Sequence, residues 1–70
     1  MNHFNVLDVV ALLHDLPDNN IVKGQVGTIV EKLDDNVFEV EFCNSNGETI
    51  AIETLQAKEL FLLHFELIGR

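Results

Sequence analysis

Seventy residues with twelve acidic and four basic side chains carry a formal net charge of −8, a field that repels phosphate backbones and disfavours a nucleic-acid role. The single cysteine, Cys43, has no internal disulfide partner, which excludes a stapled secreted scaffold. Hydrophobic content of 47% falls in short runs, which excludes a transmembrane helix and predicts a soluble protein. The opening Met1-Asn2-His3-Phe4-Asn5 lacks the basic stretch and cleavage site of a secretory signal, so cytoplasmic residence is expected. One domain over residues 1–70 is predicted, and a core of this size supplies only about 3–5 kcal/mol, which makes contact with a partner a natural source of further stability.

Residues 6–13 are apolar apart from Asp8 and end in a segment dense in turn formers, His14 to Asn20 with Pro17. They predict a first strand followed by a long loop. A helix over residues 5–14 capped by Asn5 competes, because periodicity does not separate the two for a short apolar run. Gly24 and Gly27 lead into β-branched Val26 to Leu33, the second predicted strand, with glycine suited to a tight turn or a close backbone approach.

After Asp34-Asp35-Asn36, strict alternation through Val37 to Phe42 puts Phe38, Val40 and Phe42 on one face and Glu39 and Glu41 on the other. Asn46-Gly47 marks a hairpin turn, and Thr49 to Thr54 is predicted to return with Ile50 and Ile52 inward. Residues 55–59 suit one helical turn, and Leu60 to Leu67 gives a last apolar segment. The fold class expected is all-β: a small five-stranded SH3-like barrel with a long first loop and a short helical turn before the last strand.

Several runs recur in a known group. Leu7 to Val10, Leu16-Pro17, Lys23 to Glu31, Phe38 to Phe42 and Asn46 to Thr49 resemble an uncharacterised bacterial family of short acidic SH3-like proteins, over about residues 6–64. The resemblance implies the barrel fold and no assigned reaction. It further implies a small protein that partners others, in a gene arrangement suggestive of toxin and antitoxin.

No catalytic constellation stands out. Glu39 and Glu41 share a strand face about 6.6 Å apart, yet two acids on an outward face of so small a chain have little room for a pocket that would desolvate them. His3, His14 and His64 lack zinc-site spacing, and Cys43 has no orienting base. No enzyme, metal or cofactor is therefore expected. Lys23, Lys32, Lys58 and Arg70 are scattered, and the chain has no Trp or Tyr, so a nucleic-acid or proline-rich peptide groove is not expected either.

Protein binding has positive signals. Asp34, Asp35, Glu39, Glu41 and Glu48 form the candidate electrostatic contact for a basic partner. Residues 60–68 are apolar at both parities, which places Leu60, Leu62, Phe65 and Leu67 as a candidate apolar contact. Two readings follow: an antitoxin or immunity-type partner of a basic protein, or a homodimer or scaffold subunit that adds its last strand edge to edge.

Overall fold

The computed structural model describes residues 3–63. Five strands, β1 (Val9–Leu12), β2 (Val26–Asp34), β3 (Val37–Cys43), β4 (Thr49–Gln56) and β5 (Leu60–Leu62), form one sheet in the order β4-β3-β2-β1-β5. Every pairing is antiparallel. Two 3-10 turns, Pro17–Asn19 and Ala57–Glu59, are the other regular elements. This is the expected all-β arrangement, with the long first loop and a short helical turn before the last strand. The competing helix over residues 5–14 does not form: β1 occupies its second half, and a turn over Asn5 to Asp8 its first.

The chain first builds a meander. β2 and β3 are joined by the two residues Asp35 and Asn36, and β3 and β4 by a loop that Asn44 organises from within. The Asn44 side-chain oxygen accepts from the backbone N–H of Asn46 and of Glu48, while its amide donates to the Glu48 carboxylate. Gly47 supplies the left-handed backbone that the loop requires, at φ +82°. β5 then returns to pair with β1. The Ala57 N–H donates to the Asn36 carbonyl at 2.8 Å, tying the second 3-10 turn to the β2–β3 tip and curling the sheet on itself.

The enclosed face holds Val10 and Leu12 of β1, Ile29 of β2, Phe38, Val40 and Phe42 of β3, Leu55 of β4 and Leu60 of β5, with Ile21 from the first loop. Phe4, ahead of the first strand, closes the bottom of this cluster edge-on to Phe38, with ring centres 5.5 Å apart. Gly27 is where the sheet is tightest. A Cβ there would sit 2.7 Å from Val40 Cγ1 and 2.9 Å from the Glu41 carbonyl oxygen.

Two expected parities are corrected. Ile50 and Ile52 do not face inward; they are 48% and 55% exposed. Phe42 pairs with Ala51 but Cys43 pairs with Thr49, so Ile50 is an extra residue bulged out of the ladder, and the bulge hands the inner face to Ala51 and Leu55. In the last strand, Leu60 pairs with Leu12 and Leu62 with Val10, both of which point into the core. Leu60 is therefore buried, Leu62 packs against the core, and it is Phe61 that faces outward.

Candidate functional site

Strand alternation turns half of each ladder away from the core, and the register fixes which outward side chains are neighbours. One outward row runs Phe61 (β5), Ala11 (β1), Val26 (β2). The next runs Val9 (β1), Thr28 (β2), Glu41 (β3), Ile52 (β4). A third runs Glu31 (β2), Glu39 (β3), Thr54 (β4). The outer surface thus grades from apolar over β5, β1 and the start of β2 to acidic over β3 and the later part of β2. Phe61 and Val26 are 58% and 47% exposed.

The acidic part has a specific geometry. Glu31 and Glu39 stand directly opposite each other across β2 and β3, a like-charge pairing that costs stability. Glu41 lies on the same face two residues along, about 7 Å from Glu39. Threonine hydroxyls hold both β3 carboxylates: Thr54 donates to Glu39 and Thr49 to Glu41. No lysine neutralises them. Lys32 pairs with Phe38 and so has the opposite parity, Lys23 lies in the first loop and Lys58 in the second 3-10 turn. Among the described residues the one ion pair joins His14 to Glu59, far along the chain from this row.

The five acids singled out from the sequence do not form one patch. Glu39 and Glu41 come together, with Glu31 as the third member. Asp34 and Asp35 sit at the β2–β3 tip, where the Asp34 carboxylate accepts from the Asp35 N–H. Glu48 sits in the loop at the other end of β3, its carboxylate engaged by Asn44. Of the apolar four, Leu60 is core and Leu62 half-buried, and Phe65 and Leu67 lie outside the described residues. The outward partners that replace them, Phe61, Ala11 and Val26, follow from the β1–β5 and β1–β2 registers, which no single-strand pattern reveals.

A second feature carries strain. Leu7 has φ +79°, a left-handed conformation that is unfavourable for a branched side chain, and it is 74% exposed. Its N–H donates to the Ile29 carbonyl at 2.7 Å while the Ile29 N–H donates to the Asp8 carbonyl at 2.9 Å. Leu7 and Asp8 together oppose one β2 residue, the bulge geometry whose first position is ordinarily glycine. Exposed Val6 stands beside it in the turn.

At the rim, His14 Nε2 lies 2.7 Å from Glu59 Oε1, and Nδ1 lies 2.9 Å from the Asp15 carbonyl. The bond to Glu59, then that to the Asp15 carbonyl, raise the His14 pKa above the ordinary histidine value. Partial burial acts to raise Glu59, but the Gln56 N–H and the His14 ring outweigh it, and the carboxyl is held below its usual value. Among the described residues no group of three or more His, Cys, Asp or Glu side chains is gathered to hold a metal ion, and no helix is long and apolar enough to cross a membrane.

The fold and this two-part surface define a small all-β domain that carries an acidic row, without a cation partner among the described residues, beside exposed apolar side chains. Residues 6–62 match the DUF4926 domain of unknown function, and the chain belongs to that family. Neither a curated protein nor a solved structure matches the chain.

Proposed function

We propose that this protein is a non-catalytic, SH3-like protein-binding module of the short acidic bacterial kind, working in the cytoplasm, that engages a basic protein in the manner of an antitoxin or immunity partner. The observation that carries this reading is the row Glu31, Glu39 and Glu41. Glu31 and Glu39 are direct cross-strand partners, a placement in which like charges destabilise a sheet, and among the described residues no cation pairs with them. A cationic surface laid on that row would remove the repulsion, and the net charge of −8 would speed the encounter.

A second reading, a homodimer or scaffold subunit, is favoured by Phe61, exposed on a strand at the end of the sheet. The two readings separate in one experiment. Tagged protein is used to capture partners from its native lysate at low and high salt, beside the Glu39→Lys, Glu41→Lys double variant, and the free protein is sized by light scattering. The basic-partner reading expects one basic protein, released by salt and not retained by the charge-reversed variant. A stable, salt-insensitive dimer that retains nothing would replace it with self-association.

A further inference from the structure

The apolar part of the outer surface has a width and a border that select an occupant. We infer that it seats an amphipathic, lysine- or arginine-rich helix, with the helix's apolar stripe on Phe61, Ala11, Val9 and Val26 and its cations over Glu41 and Glu39; this rests on the basic-partner reading and names the partner's form.

Three adjacent strands, β5, β1 and β2, present the apolar row Phe61, Ala11 and Val26, with Val9 beside it on β1. At about 4.8 Å between strands they span about 10 Å, close to the about 10–12 Å diameter of a helix with its side chains. A helix laid along β1 would seat its apolar stripe on that strip. The next strand over, β3, carries carboxylates in register with the strip: Glu41 is the direct neighbour of Thr28, which is the direct neighbour of Val9. A helix whose apolar stripe lies on β1 therefore brings its flank above Glu41 and Glu39, where a lysine stem can lie along the sheet and place its ammonium on the acids.

Charge selects this occupant over a second copy of the chain. Two molecules at −8 apiece repel, and the outward rows of a second copy carry no lysine to set against Glu39 and Glu41. An apolar sheet face is covered in folded proteins by a helix or another sheet, and the helix is the form that offers an apolar stripe with cations on its flank from one short segment.

The test uses the full chain, isotope-labelled, and two synthetic 14-residue peptides of leucine and lysine with one composition. In the first the leucines follow helical spacing; in the second leucine and lysine alternate, which suits a strand. Polylysine is the third probe. The helical peptide is expected to gain helicity on binding and to shift the amides of Val9, Ala11, Val26, Phe61 and Glu41, at least tenfold tighter than its alternating isomer. Val26→Asp and Phe61→Asp are expected to weaken it tenfold or more with the melting temperature held; because both positions are exposed, the folded state of each variant is checked directly by its amide spectrum. Equal binding of the two peptides, or shifts confined to the Asp34–Asp35 tip and the Glu48 loop, overturns the helix inference. Polylysine binding at Glu39 and Glu41 in that case leaves the basic-partner reading standing. Failure of all three probes to bind overturns both, and a dimer interface at Val26 and Phe61 assigns the strip to self-association.

Discussion

The same five strands build two faces that obey different rules. On the inner face Val10, Ile29, Val40 and Phe42 are fully buried and interlock around Gly27. On the outer face Val26, Ile52 and Phe61 are about half exposed, and two glutamates oppose each other where a neutral pair would be more stable. The inner face is set by volume and the outer face is not, so residues that fit the fold poorly collect on the side free to meet something else. Two phenylalanines put the contrast in one residue type. Phe42→Ala should cost about 3–5 kcal/mol, comparable with the whole stability expected of a domain this size, so the variant is expected to be largely unfolded in a urea titration. Phe61→Ala should change stability by about 0.5 kcal/mol or less. A large loss at Phe61 would show that the outer face is already covered.

The inner face is tightest at one backbone position. Gly27 belongs to the β1–β2–β3 ladder with a backbone that other residues adopt, yet Val40 and the Glu41 carbonyl leave no space for a methyl group. Gly27→Ala is therefore expected to lower stability by about 1–3 kcal/mol through overpacking. On the outer side the sign reverses. Gly47 and Leu7 have nearly the same φ, +82° and +79°, but only one is glycine. Leu7→Gly should raise stability by about 0.5–1 kcal/mol, the relief of left-handed strain less the greater freedom glycine gains when unfolded. That corresponds to a melting temperature higher by about 2–8 °C. A drop on Leu7→Gly would show that the leucine packs in spite of its exposure.

How far this contrast was legible in the sequence depends on where the information lives. In β3 the alternation from Val37 to Phe42 is complete within one strand, and its inner and outer sets stand as read. In β4 the alternation of Ile50, Ile52 and Thr54 is just as regular, but the bulge at Ile50 inverts it, and a bulge is a property of a strand pair. Leu60 to Leu62 is apolar at both parities, so only the pairing of Leu60 with Leu12 decides that Phe61 is the outward residue. The strained turn before β1 was hidden for a related reason: Val6 and Leu7 are apolar and extend the strand pattern, whereas the bond from Leu7 to Ile29 that bends the chain joins residues 22 positions apart. Phe4 shows no local signal at all, and its burial depends on Phe38. The acids of the outer face were visible as a composition; that Glu31 joins Glu39 and Glu41 while Asp34, Asp35 and Glu48 do not was a matter of register.

The smallest effect lies at the rim where the two faces meet. His14 follows β1, and Glu59 ends the 3-10 turn before β5; the Leu13 N–H donates to the Glu59 carbonyl beside their side-chain contact. The groups facing the pair are Asp15, whose carbonyl accepts from the ring and whose carboxylate holds the Lys23 N–H, and Lys58 next to Glu59. Because the folded state raises the His14 pKa, its contribution is fully present below the unfolded histidine value, about 6.5, and is lost as pH rises through the folded value. The lowered Glu59 works in the opposite sense: its contribution is present above the unfolded glutamate value, about 4.3, and is lost as pH falls through the folded one. The pair therefore supports the β1–β5 junction most between these two limits. It is exposed and screened by salt, so the expected change is a slight fall in urea midpoint as pH rises from 6 to 8, absent in His14→Gln. An equal fall in His14→Gln would assign the pH dependence to other groups and leave the junction held by its backbone bonds alone.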